Sequence, residues 1–148
     1  MDMNQIPTYY AGIAQSKAHR TLSVLTTGWL KKHSITMLQW FVLGLTYEAG
    51  VKGIRITDIA IQLDTTKSFV TNHVNVLELK GLLTRTVDPN DTRSRIVTLT
   101  EYGRSMVTKV EQELRADMRS NIFKTIEPNE FAIYIKVMSQ LSTLTTNQ

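Results

Sequence analysis

The sequence predicts a mostly α-helical fold built around a winged helix-turn-helix, with further helices on either side. Three observations carry this. Two helical segments are joined by a turn of a few residues at Asp64-Thr65, the mark of a helix-turn-helix. Directly after them the period changes: Leu83-Thr84-Arg85-Thr86-Val87 and Arg95-Ile96-Val97-Thr98-Leu99 alternate and are rich in β-branched residues, with turn formers crowding residues 88–94, which reads as a hairpin with a polar tip. Before and after this block, apolar residues recur at helical gaps of three and four.

Taken in order, residues 8–30 place Tyr10, Ile13, Ala14, Ala18, Leu22, Leu25 and Trp29 on one helical face, and Lys31-Lys32-His33-Ser34 breaks the pattern. The next helix has a complete start signal: Thr36 as cap, Gln39 three residues on, and Ile35 and Trp40 at the staple positions. It continues through Leu38, Phe41, Val42 and Leu45 to Gly50 and is apolar on most sides, so it should be central and buried. Ile54-Arg55-Ile56 is long enough only for an edge strand. Thr57 is expected to cap a short helix over residues 58–63, with Ile56 and Ile61 as its staple. Thr66 caps a longer helix ending near Lys80, with Gly81 at the left-handed stop.

After the hairpin, Thr100 can cap a long helix striped by Met106, Val110, Leu114, Met118 and Ile122. Pro128, at a first helical position, restarts the chain after Glu127, with Ile126 and Phe131 at staple positions. The last helix has one stripe at Phe131, Tyr134, Ile135, Met138 and Leu141 and another at Ile133, Val137 and Leu144. Two apolar faces are more than one small subunit covers, so a second copy of the chain is expected against them.

Composition narrows the function. The chain has 148 residues, 17 Lys+Arg against 13 Asp+Glu, three histidines and no cysteine. Disulfides, thiolate zinc sites and a cysteine nucleophile are excluded. The opening MDMNQIPTYY has no basic stretch followed by an apolar run, and the apolar residues 37–45 are too few to span a bilayer of about 20 residues; a soluble cytoplasmic protein with no membrane partner is expected. His19, His33 and His73 have no ligand spacing, so no metal is expected. No glycine-rich phosphate loop and no G-x-S-x-G elbow occur, so no cofactor, no catalytic residue and no enzymatic activity are expected. The net charge of +4 mildly favours an anionic partner.

The chemistry concentrates on the second helix of the helix-turn-helix. From Thr65 through Leu77 there is no carboxylate. The exposed positions are Lys67, Ser68, Thr71, Asn72 and Asn75, while Val70, Val74 and Leu77 turn inward. A helix lying against phosphates avoids fixed negative charge and offers ammonium, hydroxyl and amide groups to oxygens and base edges. Asn suits a bidentate contact with adenine, and Thr a thymine methyl. The free N–H groups near Thr66 and Lys67 suit a phosphate. On the hairpin, Arg93 and Arg95 lie at or beside the tip, with Arg85 on the opposite strand. Asp91, two residues before Arg93, is placed to accept from its guanidinium and direct it toward a narrow minor groove.

These residues also carry a family resemblance. Thr36-Met37-Leu38-Gln39-Trp40-Phe41-Val42-Leu43 resembles the opening motif of the MarR family of transcriptional regulators. Leu63-Asp64-Thr65-Thr66-Lys67-Ser68-Phe69-Val70-Thr71 is similar to its turn and recognition-helix start, and Leu77-Glu78-Leu79-Lys80-Gly81-Leu82 to its L-E-x-x-G-L. Asp91-Thr92-Arg93-Ser94 and Leu99-Thr100-Glu101-Tyr102-Gly103 match its D-x-R wing and L-T-x-x-G. The matches run in unbroken order from Ile35 to Gly103.

The resemblance implies one MarR-like domain over residues 1–148, with the winged helix at about 35–103 and dimerisation helices in 1–34 and 104–148. It implies a homodimer on double-stranded DNA at a palindromic operator, acting as a repressor released by a small effector, for which anionic or phenolic compounds are candidates. Carried over by position, Ser68, Thr71 and Asn72 meet DNA and Arg93 is the wing arginine. Asn72 stands where the family often has arginine, and Phe69 where it usually has a small or polar residue; packing inside the domain is the expected role for Phe69. The DNA-contacting set is thus Thr66, Lys67, Ser68, Thr71, Asn72, Asn75, Asp91, Arg93 and Arg95. The alternative is a winged-helix protein-interaction module that does not read DNA; the polar Lys67, Ser68, Thr71 and Arg93 argue against it, because such surfaces favour aromatic or aliphatic anchors.

Overall fold

A computed structural model describes residues 5–144. The chain divides at Glu111/Gln112 into two compact units. The first holds α1 (Thr8–Lys31), α2 (Met37–Ala49), β1 (Ile54–Arg55), α3 (Ile56–Gln62), α4 (Lys67–Leu79), β2 (Leu83–Asp88), β3 (Asp91–Leu99) and the first half of α5 (Glu101–Asn121); the second holds the rest of α5 and α6 (Pro128–Ser142).

The core of the first unit gathers one face from each helix and strand. Val42 and Leu43 of α2, Ile59 of α3, Val70, Val74 and Leu77 of α4, Val97 of β3 and Val107 of α5 are buried together. Each such side chain contributes about 1.5–3 kcal/mol on leaving water. The start of α2 forms as its sequence predicts: the Gln39 N–H donates to the Thr36 hydroxyl at 3.2 Å, and the Thr36 N–H to the Gln39 side chain at 3.1 Å. Thr46, fully buried in the same helix, donates to the Val42 carbonyl at 2.7 Å and so leaves no hydroxyl unpaired.

Three helix ends in this unit close by the same device. After α4, the Leu82 N–H reaches the Leu77 carbonyl and the Gly81 N–H the Glu78 carbonyl, with Gly81 at φ +71°. These paired bonds are a Schellman stop. The same pair of bonds follows α3 around Asp64, φ +48°, and α1 around Ser34, φ +56°. Only Gly81 is legible in the sequence as such a stop. Asp64 and Ser34 take a backbone region that L-residues seldom occupy, and between them they set the turn of the helix-turn-helix and the turn into α2.

Two expected boundaries are corrected. The short helix starts at Ile56, with Arg55 at the cap position and no side-chain cap bond, instead of after a Thr57 cap. Ile56 is buried, but Ile61 is 76% exposed, so no staple joins them; burying Ile56 against the core overrides the local capping preference. The hairpin is also longer than its turn formers suggest. β2 and β3 pair antiparallel from Leu83↔Leu99 to Asp88↔Asp91, leaving only Pro89 and Asn90 between strands, and β1 pairs on the other side of β3 in the order β1-β3-β2. Arg93 therefore stands on a strand, as the sequence predicts for Arg95, and not in a loop.

Thr100 ties the hairpin exit to the exit of α4. Its hydroxyl accepts from the Gly103 N–H at 2.9 Å, capping α5, and donates to the Gly81 carbonyl at 2.6 Å. Gly103 is required by close approach: a Cβ there would lie 2.0 Å from the Leu82 carbonyl oxygen.

In the second unit, Pro128 opens α6 and the Glu127 N–H donates to the Glu130 carboxylate at 3.1 Å. Phe131 packs edge-on against Phe123, ring centroids 5.7 Å apart, and beside Tyr134 at 5.9 Å. The second stripe is bare: Ile133 is 62% exposed, and Val137 and Leu144 are also exposed. In the first unit, Tyr10 and Ile13 of α1 are exposed while Leu30 is buried. Among the described residues, no helix is long and apolar enough to cross a membrane.

Candidate nucleic-acid interface

Thr66 precedes α4 in extended conformation, and its hydroxyl accepts from the Phe69 N–H at 3.2 Å. That bond satisfies one of the free N–H groups of the first turn. The Lys67 and Ser68 side chains beside it are exposed, as are Asn72 and Asn75 one and two turns on. Thr71 is half-buried, and its hydroxyl donates back to the Lys67 carbonyl at 2.8 Å. Its proton is thereby used within the helix, so it presents a methyl group and an acceptor rather than a free donor. Val70, Val74 and Leu77 are fully buried on the opposite face, so packing fixes which polar residues look out.

Phe69 does not pack inside. It is 48% exposed and meets His73 edge-on at 4.9 Å. The two rings lie beside Met37 and Leu38 in a shallow apolar depression. The correction follows from helical phase: Val70 already fills the inward position, and its neighbour is turned outward.

The wing is built on two aspartates. Asp88 is buried at 1% exposure, accepting from Arg55 Nε at 2.5 Å and from the Asn90 N–H at 2.9 Å. The Asn90 N–H, and behind it the Arg55 guanidinium, hold the Asp88 carboxyl below the usual carboxylate range although burial pushes it up. Asp88 in turn raises Arg55. Asp91 accepts from the Ser94 hydroxyl at 2.7 Å and from the Arg93 N–H at 3.0 Å. These two bonds, the hydroxyl first, lower its pKa. Asp91 thus holds the backbone of Arg93 and not, as the spacing suggests, its guanidinium, and the Arg93 side chain extends outward, exposed.

The other two arginines are committed. Arg95 Nη1 donates to the Thr92 and Ser94 carbonyls at 3.0 and 3.1 Å, folding along the wing. Arg85 is engaged by Glu78 of α4. Sequence reasoning missed Arg55: it contacts Asp88 across 33 residues, a separation at which no local spacing signals a pair. The wing and α4 are electrically joined as well. The link between them is the Arg85–Glu78 ion pair; at the tip, the charges of Arg55 and Lys67 add only weakly to the hydrogen bonds that lower the Asp91 pKa.

Residues 35–94 match the model of the MarR family. The MarR-family match spans α2 through the start of β3, the segment that contains α4 and the Asp91-Thr92-Arg93 tip of the wing. The chain is similar over 142 residues, 23% identical, to an uncharacterized HTH-type transcriptional regulator, YwhA, of Bacillus subtilis (strain 168), covering 96% of this chain and 99% of that protein. A transcriptional regulator of the MarR family from Rhodococcus sp. RHA1 superposes with a TM-score of 0.82 at 21% identity, covering 95% of this chain and 98% of that one. The MepR protein of S. aureus, solved as a complex with DNA, superposes with a TM-score of 0.72 at 25% identity, covering 95% of this chain and all of MepR.

Proposed function

We propose that this chain is a homodimeric, sequence-specific DNA-binding transcriptional regulator, acting as a repressor that a small effector releases. The observation that carries the reading is the pairing of an exposed polar face on α4, free of carboxylates from Lys67 to Leu77, with the exposed Arg93 of the wing. In this role Lys67 and the first-turn N–H groups near Thr66 meet phosphate. Ser68, Thr71, Asn72 and Asn75 face base edges in the major groove, and Arg93 enters the minor groove beside it. Asp91 and Arg95 shape the wing. Residues 1–148 work as one regulator, and the exposed apolar residues of α1 and α6 supply the contact between copies. Such a protein acts where the chromosome is, in the cytoplasm.

Selection of bound duplexes from a random library tests this. The expected result is an inverted repeat with half-sites about one helical turn, 10–10.5 bp, apart. The protein-interaction reading has one point in its favour, the half-exposed Phe69 on α4, and it predicts no enrichment of any duplex.

A further inference from the structure

A cavity of about 500 Å³ opens between the α1–α2 turn, the end of α4 and the first turns of α5, all within the first unit. Its wall carries three basic side chains, His33, Lys80 and Lys109, and the hydroxyls of Tyr102 and Ser105. Leu82 and Met106 make the apolar part, and no carboxylate lines it. The volume is in the range that holds small organic ligands, about 300–1,000 Å³. A concave site with two ammonium groups and no opposing acid focuses positive potential. Two lysines with hydroxyl donors between them match a group with more than one negative charge and several acceptor oxygens. A phosphate monoester is such a group, carrying about −1.5 to −2 near neutral pH, and Lys serves it as a point charge. The apolar side chains give its organic body a place to lie.

We propose that this cavity binds a phosphorylated small molecule. Occupancy has a structural consequence, which rests on reading α4 as the DNA-recognition helix. Lys80 Nζ donates to the Ser34 carbonyl at 2.5 Å across 46 residues. Lys80 is the capping residue of α4, and Ser34 is the left-handed residue that turns α1 into α2. A phosphate in the cavity competes for that ammonium group, and each bond it wins unties the α1–α2 turn from the recognition helix. Ligand and duplex then favour different arrangements of one element, the condition for coupling between two sites.

The test is calorimetry of the purified full chain with phenyl phosphate, inorganic phosphate and phenol as probes. Phenyl phosphate is expected to bind at least about tenfold more tightly than either fragment, and Lys109→Met to weaken it about tenfold, the size of a lost charge-assisted hydrogen bond. No binding of phenyl phosphate at about 10 mM, or equal binding by Lys109→Met, overturns the site. Equal affinity for inorganic phosphate overturns the organic-ligand assignment. Lys109→Met should keep wild-type duplex affinity, and phenyl phosphate should weaken duplex binding by wild type but not by this variant. Calorimetric binding with unchanged duplex affinity overturns the coupling alone. Failure to bind any duplex overturns the regulatory reading, and the calorimetry still decides the cavity.

Discussion

Lys67 offers the cleanest test of how α4 meets DNA. It is exposed at the first helical position, and the capping bond of that turn belongs to Thr66 and Phe69. Lys67→Met therefore removes a charge without touching the cap or the core, and stability should change by no more than about 0.5 kcal/mol. On B-DNA each neutralised phosphate contributes about 0.9 to the slope of log affinity against log salt. A dimer presents two copies, so the slope should become shallower by about 1.8 units. Between about 50 and 200 mM salt, a fourfold change, that removes roughly a twelvefold part of the loss of affinity. The assay is fluorescence anisotropy on the selected duplex and on a scrambled one over a salt series. Lys67 should act equally on both, because a phosphate contact carries no sequence information. An unchanged slope refutes the placement of α4 against phosphate, and a loss confined to the selected duplex refutes the assignment of Lys67 to the backbone.

Three further predictions address the wing and the dimer. Arg93→Ala should cost about 1–3 kcal/mol of duplex affinity and erase any preference for A·T pairs at the flanks; equal affinity on all flanks before and after the change removes the wing from sequence reading. The depressed pKa values of Asp88 and Asp91 mean that these groups stabilise the wing fully above the unfolded-state value of about 3.9 and lose that contribution as pH falls through the lower folded values. Amide NMR signals of Asn90 and Arg93 should accordingly titrate below about pH 3.9, and midpoints at or above it contradict the two hydrogen-bonded carboxylates. Ile133→Glu with Val137→Glu, both exposed in α6, should convert dimers to monomers in sedimentation at micromolar protein by burying unpaired charge between copies; persistent dimers place the interface elsewhere.

Much of this protein is written locally. The Thr36–Gln39 capping box, the Gly81 stop, Pro128 at a helix start and the stripe from Met106 to Ile122 depend on neighbours within about one helical turn to a few turns, and such neighbours are visible in a linear sequence. The carboxylate-free face of α4 is legible for the same reason, since a helical period sorts Val70, Val74 and Leu77 from Lys67, Ser68 and Asn72.

What tertiary structure alone decides is how these pieces are held. The polar residues 88–94 have local preferences for a turn, yet most of them lie in strand, because the pairing of β2 with β3 continues to Asp88↔Asp91. The role of Asp91 changes with that pairing: once Arg93 is on a strand, its N–H is the donor within reach and its guanidinium is directed away. Arg55 on Asp88, Lys80 on Ser34 and Arg85 on Glu78 join residues that are 33, 46 and 7 positions apart. A charged side chain has several possible partners of opposite polarity in any sequence, and only the folded chain, by bringing one of them within hydrogen-bond distance, selects which is used.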